Sequence, residues 1–240
     1  MLAIEVKKLT KKYKDKVAVN EIDLSINQGE LFALLGTNGA GKTTTIKMLS
    51  GLILPTSGDI TIENMDMKKD VYKIKEILNV SPQETAIAPN LTVKENLEFM
   101  AGVYQIKNKE EKINKLIEQF KLDEVLKKKA KTLSGGWQRK VSIAVSLIND
   151  PKILFLDEPT LGLDVIARKE LWKVINSLKG KITIILTTHY MEEAESLSDR
   201  IGIMANGEIV DIGTAEELIK KTGAKNFEDA FVSIATGGEL

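Results

Sequence analysis

The sequence contains no cysteine and a single histidine, His189. Without cysteine the chain has no disulfide, no thiolate metal site and no thiol nucleophile. Lys and Arg together number 34, and Asp and Glu also number 34, so the chain lacks the basic excess that is typical of dedicated nucleic-acid binders. The short basic run Lys127–Lys129 is the main local exception. The composition therefore predicts no nucleic-acid partner.

Long hydrophobic runs are also absent. No apolar stretch approaches the ~20 residues that a membrane-spanning helix needs, and the longest are strand-sized: Leu31–Leu35, Ile153–Leu156 and Ile182–Leu186. The first eight residues lack the apolar segment of a secretory signal. We therefore expect a chain that is soluble by itself and that reaches any membrane through a partner.

The hydrophobic pattern predicts an α/β fold. Apolar and polar residues alternate along Ile4–Leu9 and Val17–Ile26, as in strands that have one face exposed to solvent. Leu31–Leu35 is instead continuously apolar, as in a strand buried on both faces of a parallel sheet. A helix is expected over Thr43–Leu52. Further strands are predicted at Asp59–Glu63, Ile77–Val80, Ile153–Leu156 and Ile182–Leu186.

A mostly helical insert is predicted for residues 84–150. Thr92 and Glu95 have the spacing of a capping box, and apolar residues from Ile113 to Phe120 recur at helical intervals. After the insert, Asn206-Gly207 predicts a hairpin between Ile201–Ala205 and Glu208–Ile212. Two closing helices are expected at Ala215–Lys221 and Phe227–Ile234.

The segment Gly36–Thr43 reads G-T-N-G-A-G-K-T and fits the phosphate-loop pattern G-x-x-x-x-G-K-[ST]. Its glycines allow backbone amides to wrap a polyphosphate, Lys42 is placed to meet the β- and γ-phosphates, and Thr43 to hold Mg²⁺. A glycine-rich turn could match by chance. The motif stands between a buried strand and a helix, however, and this is the context that phosphate binding requires. The motif therefore predicts nucleotide binding.

An apolar strand ending in two acids, Ile153–Glu158, supplies the matching feature. In phosphate-loop NTPases an acid at such a strand end completes the Mg²⁺ site, which assigns that role to Asp157. Glu158 would then polarise the attacking water. A strand ending in Asp-Glu is by itself more often a solvated edge, but together with the loop at Gly36 the functional interpretation is favoured.

The stretch Leu133–Trp137 reads L-S-G-G-W and precedes an apolar helical pattern. Ser134 is a favourable N-cap, and the two glycines leave the start of the helix open to close approach. Taken alone, this would be an ordinary capped helix.

Together these motifs resemble the ATP-binding cassette (ABC) family, the ATPase subunits of ABC transporters, from about residue 2 to 235. Gly36–Thr43 is similar to its Walker A motif, Ile153–Glu158 to its Walker B motif and Leu133–Gly136 to its signature, although Trp137 replaces the usual Gln. The resemblance extends to four further elements. Gln83 is similar to the Q-loop glutamine, Leu161–Asp164 to the D-loop, His189 to the switch histidine and Tyr13 to the adenine-stacking aromatic.

The resemblance implies a role for each matching residue. The catalytic set is Glu158, His189, Gln83 and Lys42. The set that would bind ATP is Tyr13, Gly36, Thr37, Asn38, Gly39, Ala40, Gly41, Lys42, Thr43, Thr44, Ser134, Gly135 and Gly136. The set that would hold Mg²⁺ is Thr43, Gln83 and Asp157.

The implied fold is a phosphate-loop NTPase core with a mixed β-sheet flanked by helices, an N-terminal antiparallel β-subdomain and a helical insert. One domain over 1–240 is expected, with residues 1–83 and 151–240 as the core and 84–150 as the helical signature subdomain. The subunit would dimerise around two ATP molecules, as a homodimer or with a similar cassette. Asn96–Gly102 and Phe227–Phe231 resemble the cassettes of drug, sodium and polysaccharide export permeases. The subunit would therefore drive solute movement, in the export direction, through an integral-membrane permease, to which it would be held at the cytoplasmic face of the cell membrane. The alternative is a soluble ABC ATPase without a transport role. A regulator that binds ATP without turnover is a third candidate, which the presence of Glu158 and His189 disfavours.

Overall fold

Two long strands at the start of the chain, β1 (Leu2–Tyr13) and β2 (Lys16–Asn27), pair as an antiparallel hairpin in the computed structural model, which describes residues 1–238. Strand β4 (Ser57–Ile62) pairs with the other edge of β1, and β5 (Met65–Asp66) pairs with β4. All three pairings are antiparallel, so the predicted N-terminal antiparallel β-subdomain is confirmed.

The second sheet has six strands in the order β10-β9-β3-β8-β7-β6. Their bounds are β3 Leu31–Leu35, β6 Leu78–Ser81, β7 Ile153–Asp157, β8 Thr183–Thr188, β9 Arg200–Ala205 and β10 Glu208–Gly213. The five strands from β9 to β6 run parallel, and the hairpin turn at Asn206-Gly207 makes β10 antiparallel to β9. The sheet is therefore mixed, as predicted, and β3, β7 and β8 are buried along their whole length.

The parallel strands bring the predicted site segments to one edge of this sheet. Leu35 pairs with Thr188, and Asp157 pairs with Thr187, so β3, β7 and β8 end side by side. Strand β6 ends next to them at Ser81. The carboxyl edge of such a sheet is where ligands of α/β proteins bind.

Nine α-helices surround the two sheets within the described residues: α1 Lys42–Leu49, α2 Val71–Ile77, α3 Val93–Val103, α4 Lys109–Phe120, α5 Gly135–Ser146, α6 Val165–Leu178, α7 Met191–Leu197, α8 Ala215–Thr222 and α9 Phe227–Thr236. Helix α1 ends earlier than its predicted limit of Leu52, because Ser50 caps it and Gly51 takes a left-handed φ of 66°. The predicted capping box is confirmed, since Thr92 and Glu95 exchange both bonds at the start of α3.

Helices α3, α4 and α5 form the predicted helical insert, but their core is continuous with that of the sheet. Leu97 of α3 and Phe120 of α4 belong to one buried apolar cluster. The same cluster contains Leu154 and Leu186 of the sheet and Trp172 of α6. A second cluster fills the space between the two sheets. Apolar packing thus crosses the proposed boundaries at residues 84 and 150, and the subdivision there stays a prediction.

Candidate active site

The loop between β3 and α1 depends on two glycines whose positions exclude any side chain. A β-carbon at Gly36 would lie 2.3 Å from the carbonyl oxygen of Met204. Gly41 has a φ of +108°, and its β-carbon would lie 2.5 Å from the carbonyl oxygen of Ala18. Helix α1 begins immediately afterwards at Lys42, so the positive end of its dipole faces the loop.

Lys42 is a buried cation whose ammonium lies inside this loop. Its Nζ donates hydrogen bonds to the carbonyl oxygens of Gly36, at 2.8 Å, and Thr37, at 3.2 Å. It also lies 3.3 Å from Oε1 of Glu158, and both side chains are less than a tenth exposed. A buried charge is tolerated when it is paired in this way. A phosphate oxygen bound by the loop would compete with Glu158 for the same ammonium.

Asp157, the last residue of β7, holds two hydroxyl groups at the edge of the sheet. Its Oδ1 accepts hydrogen bonds from Oγ1 of Thr43, at 3.1 Å, and from Oγ1 of Thr187, at 2.5 Å. The hydroxyl of Thr43 and the carboxylate of Asp157 therefore lie together, although they are 114 positions apart in sequence. Mg²⁺ takes oxygen ligands and is usually bound by one or two carboxylates together with substrate phosphates, so the donor set fits this ion.

Glu158 leaves the strand in a strained conformation that aims its carboxylate between two partners. Its φ is 49°, in the left-handed region that residues other than glycine avoid. Its backbone N–H donates to the carbonyl oxygen and the hydroxyl of Thr187, both at 3.1 Å. One carboxylate oxygen faces Lys42, and the other lies 2.7 Å from Nδ1 of His189. Each carboxylate oxygen of Glu158 is thus held by one side chain of the protein.

A cavity of about 580 Å³ opens in front of these groups. It is lined by Tyr13, Lys16, Ala18, Asn38, Gly39, Gly41, Lys42, Thr43, Thr44, Gln83, Glu158, Leu161 and His189. Ten predicted site residues are therefore brought together here, and Tyr13 lies at its rim with nearly half of its surface exposed. Gly36, Ala40 and Asp157 form the buried support behind the cavity, and Thr37 lies exposed on the loop.

Lys16 and Ala18 of β2 also line the cavity, and sequence reasoning did not select them. Strand β2 passes directly beneath the phosphate loop, where the carbonyl oxygen of Ala18 approaches Gly41. Lys16 and Ala18 reach the cavity only because the first sheet packs against the second. The alternation of β2 predicts which residues face inward but not which element they face.

Gln83 lies two residues beyond Ser81, where β6 ends. Its side chain lines the cavity, and its backbone carbonyl accepts a hydrogen bond from Arg139 of α5. Gln83 therefore lines the same cavity as Lys42 and Glu158.

Ser134, Gly135 and Gly136 do not line this cavity. Ser134 takes the N-cap position of α5, but its hydroxyl makes no capping hydrogen bond to the described residues, contrary to the expected role. Ser134 and Gly135 are both exposed. The neighbouring ring of Trp137 packs under Nζ of Lys140, at 4.6 Å, and Lys140 in turn bonds Glu170. The predicted signature is therefore an open helix start on another part of the surface.

Glu193 of α7 is a buried carboxyl beneath the site that sequence reasoning missed. Its Oε1 accepts a hydrogen bond from Nε1 of Trp172 at 2.9 Å, and the side chain is fully buried. Burial raises the pKa of Glu193, an effect that the bond from Trp172 opposes. A glutamate in the first turn of a short helix has no sequence signal that distinguishes it from an exposed neighbour such as Glu195.

We expect Glu193→Gln to make the protein more stable relative to wild type as the pH rises. A raised folded-state pKa stabilises the wild type fully below the unfolded value of 4.5, and this contribution is lost as the pH rises through the folded pKa. Glutamine keeps an oxygen for Trp172 and does not ionise. Urea unfolding at pH 5 and pH 8 measures the effect, with Glu195→Gln as the exposed control. A stability difference that is the same at both pH values would contradict the expectation.

Comparison with known proteins decides the family. The sequence model of the family described as ABC transporter matches residues 19–161, more than half of the chain. The chain belongs to the ABC transporter family. The resemblance predicted from its motifs is therefore confirmed.

Individual relatives agree with this assignment. The ABC cassette is 42% identical over 218 residues to YbhF of Escherichia coli (strain K12), named a probable multidrug ABC transporter ATP-binding protein; the match covers 90% of this chain and 38% of YbhF. It is 38% identical over 238 residues to the linearmycin resistance ATP-binding protein LnrL of Bacillus subtilis (strain 168), covering 98% of this chain and 75% of LnrL. The chain thus spans well under half the length of YbhF.

A solved structure places the fold in the same family. The dimeric, post-hydrolysis structure of the cassette MJ0796 bound to ADP and Pi matches with a TM-score of 0.80 and 26% identity, over 88% of this chain and 98% of that one. The predicted ABC ATPase fold is confirmed. The family and the names of these relatives favour the transporter interpretation over the alternative without a transport role. Within residues 1–238, no helix has both the length and the apolar character that crossing a membrane requires.

Proposed function

We propose that this cassette binds Mg·ATP in the cavity above the Gly36–Thr43 loop and hydrolyses it to power export of a solute through a membrane permease. The observation that carries the proposal is the fixed carboxylate of Glu158, held between Lys42 and His189 at the mouth of the loop. The multidrug and linearmycin-resistance names of YbhF and LnrL support export. The cytoplasmic face of the cell membrane is the proposed location, with the permease as the attachment.

The phosphate loop and Lys42 would bind the triphosphate. Backbone amides between Gly36 and Thr43, together with the positive end of α1, favour an anion at this position. When a γ-phosphate takes over the ammonium of Lys42, the carboxylate of Glu158 loses its cationic partner and becomes available as a base. Tyr13 at the rim is suited to stack on the adenine. Binding of the γ-phosphate thus releases the base, because the phosphate replaces Glu158 as the partner of Lys42.

Thr43 and Asp157 would hold Mg²⁺, and Gln83 would complete its contacts from the facing loop. The two oxygen donors already lie 3.1 Å apart. The ion, when bound, would neutralise charge on the β- and γ-phosphates. Asp157 is also held by the hydroxyl of Thr187, so its carboxylate keeps its orientation.

His189 would keep Glu158 in position and stabilise the transferring phosphate. Its Nδ1 contacts the carboxylate, and the ring itself lines the cavity. In the proposed reaction, Glu158 takes a proton from water, whose oxygen attacks the γ-phosphorus. The bond from that phosphorus to the bridging oxygen then breaks, which gives ADP and phosphate.

A second cassette would complete the site with its own Ser134–Gly136 segment. Ser134 and Gly135 are exposed at the start of α5, and the segment does not line the cavity of its own subunit. An open helix start suits a γ-phosphate presented by another copy. The dimeric MJ0796 structure supports this arrangement. The partner is a second copy of this chain or a similar cassette, and loss of the γ-phosphate would let the pair separate.

The permease would contact the cassette at residues 83–89. This loop is hydrogen-bonded to Asn96 of α3. The side-chain oxygen of Asn96 accepts a bond from the N–H of Ala88, at 2.7 Å, and the side-chain nitrogen of Asn96 donates to the carbonyl oxygen of Ala88, at 3.2 Å. Movement of α3 with the helical insert would therefore carry the loop with it.

The Gly135→Asp substitution is expected to block dimerisation while leaving ATP binding to one subunit intact. The position tolerates a side chain in the isolated subunit, because a β-carbon there meets only Cδ2 of Leu163, at 3.7 Å. The new carboxylate would repel the γ-phosphate of the partner site. Gel filtration with Mg·ATP, in a Glu158→Gln background that slows turnover, measures the dimer.

Gly102→Asp is the matched control, since Gly102 is also helical and nothing lies within 4 Å of its β-carbon position. It should dimerise as the parent does. Normal dimerisation of the Gly135→Asp protein would rule out the proposed role of the signature.

A further inference from the structure

A cavity of about 700 Å³, separate from the ATP cavity, is lined by four lysines and one acid. Lys112 and Lys115 belong to α4, while Lys152 directly precedes β7 and Lys181 lies two residues before β8. Lys112 is paired with Asp150. The other three lysines are exposed and make no ion pair with residues 1–238. This cavity therefore has a cationic rim with charges to spare.

The floor of the cavity is apolar. Leu116 of α4, Leu147 at the end of α5 and Leu178 of α6 line it, and each is less than a tenth exposed. All three belong to the buried cluster that joins the helical insert to the sheet. An apolar floor with a few converging charges is the usual composition of a ligand site.

A second cavity, of about 420 Å³, adjoins the first and shares Gln119 and Ser177 with it. It adds three lysines and two acids to the lining: Lys121, Lys140, Lys173, Glu124 and Glu170. Within the described residues, Lys140 is paired with Glu170, whereas the other two lysines are exposed and unpaired. The two cavities form one continuous groove between α4 and α6, which we call the α4–α6 groove.

The α4–α6 groove concentrates positive charge in a chain whose formal net charge is zero. Seven lysines and three acids line it, which leaves an excess of four positive charges. Helices α4, α5 and α6 all end along the groove. Since each helix C-terminus carries about half a negative charge, the three ends together offset fewer than two of the four. The remaining cations are available to an anionic partner.

The first cavity lies at the amino edge of the second sheet, because Lys152 and Lys181 stand before β7 and β8. The ATP cavity and the 83–89 loop lie at the carboxyl edge, about 13 Å away along a five-residue strand. A molecule bound at the amino edge would therefore displace neither ATP nor the proposed permease contact.

We propose that the α4–α6 groove binds an acidic amphipathic helix of a partner protein, with carboxylates against the lysines and apolar side chains against the leucine floor. Lys112 and Lys121 lie nine positions apart along α4, so the groove is about 13 Å long, the length of a nine-residue helix. An amphipathic helix binds such a groove through its apolar face. In the part of the chain that the structure describes, arginine, the preferred side chain for phosphate, lines neither cavity, which favours carboxylates over nucleic acid or lipid. Such binding adds a partner to the cassette and does not depend on the proposed reaction.

Fluorescence anisotropy with a labelled helical peptide of about 14 residues, four helical turns, tests this docking site. The peptide has leucines on one face and glutamates on the other. It should bind the whole chain, and rising salt should weaken the binding because it screens the charges. The triple variant Lys115→Glu/Lys152→Glu/Lys181→Glu should bind at least about ten-fold more weakly, since like charges then face each other. Its ATP turnover should equal that of wild type, because none of the three lysines lines the ATP cavity.

The matched control reverses three exposed lysines that line neither cavity: Lys128→Glu/Lys220→Glu/Lys225→Glu. It should bind the peptide within about two-fold of wild type, because charges beyond the screening length contribute little. Trp137 locates the bound peptide, since its ring lines the second cavity. The peptide should change the tryptophan emission of wild type, and Trp137→Phe should bind the peptide without this change.

Three other ligands distinguish the class of partner: the same peptide with glutamine in place of glutamate, a single-stranded oligonucleotide, and phosphatidylserine vesicles. Weaker binding of all three supports the acidic helix. No binding of the acidic peptide, or equal weakening by both triple variants, overturns the docking site. Tighter binding of the oligonucleotide or the vesicles, lost in the groove variant, also overturns the acidic helix as the occupant. If thermal unfolding shows that the groove variant is not folded, the three single reversals decide, and wild-type affinity in all of them overturns the docking site.

Discussion

Glu158→Gln is expected to lower ATP turnover by about 10²- to 10⁴-fold, the usual contribution of a general base, without weakening ATP binding. Glutamine has nearly the same shape and can still contact His189, but it cannot take a proton from water. It also removes the negative charge that pairs with Lys42 across 3.3 Å, so ATP no longer competes for that ammonium. The Kd for ATP should therefore stay the same or fall. Phosphate release under saturating Mg·ATP measures the rate, and equilibrium binding measures the Kd.

Glu195→Gln is the matched control, because Glu195 lies exposed on α7 and does not line the cavity. It should hydrolyse ATP at the wild-type rate. Turnover of Glu158→Gln at more than about a tenth of the wild-type rate would contradict the assignment of Glu158 as the base.

Lys42→Ala is expected to weaken ATP binding by roughly 30- to 5,000-fold, the range that corresponds to about 2–5 kcal/mol for truncating one partner of a buried charge pair. Among the described residues, Lys42 alone places an ammonium inside the loop, and the substitution removes it. The carboxylate of Glu158 is then left without its cation. Both effects disfavour a triphosphate. Titration with a fluorescent ATP analogue or calorimetry measures the change in Kd.

Lys47→Ala is the control for this variant, since Lys47 lies on the exposed face of the same helix. It should bind ATP as the wild type does. A Kd for Lys42→Ala within about three-fold of wild type would exclude the proposed phosphate-binding role of the loop.

The motifs could be predicted from sequence because their chemistry is local. The loop at Gly36–Gly41 needs its glycines for reasons that lie within a few residues, and its flanking strand and helix are visible in the hydrophobic pattern. The same holds for the capping box at Thr92 and the hairpin at Asn206-Gly207. In each case, residue type and conformation are determined by neighbours in the chain.

Helices α6 and α7 were not predicted, although α6 carries a readable signal. Its buried residues Leu171, Trp172, Ile175 and Leu178 recur at helical spacing, and Asp164 caps it by accepting bonds from two backbone amides. The exposed Val165 and Ile166 in its first turn obscure this pattern. Helix α7 has only seven residues, which is too short for its periodicity to be distinguished from a loop.

Contacts between distant segments could not be predicted from the pattern at all. The bond between Glu158 and His189 joins residues 31 positions apart, and it follows from strands β7 and β8 ending side by side. Arg139 binds backbone carbonyls more than 50 positions away, which require no particular residue type. The buried Glu193 likewise becomes visible only when α7 is packed against Trp172. Tertiary structure, not local propensity, assembles this part of the site.

Two subunits are proposed to form each ATP site together. The number of chains and nucleotides in the ATP-bound species tests this composite site most directly. Sedimentation equilibrium of the Glu158→Gln protein with saturating Mg·ATP, followed by nucleotide analysis of the isolated species, gives both numbers. The proposed function predicts a species of two chains that retains two ATP molecules and that Gly135→Asp abolishes. A single chain that binds ATP fully and remains monomeric at protein concentrations far above the Kd for ATP would contradict it.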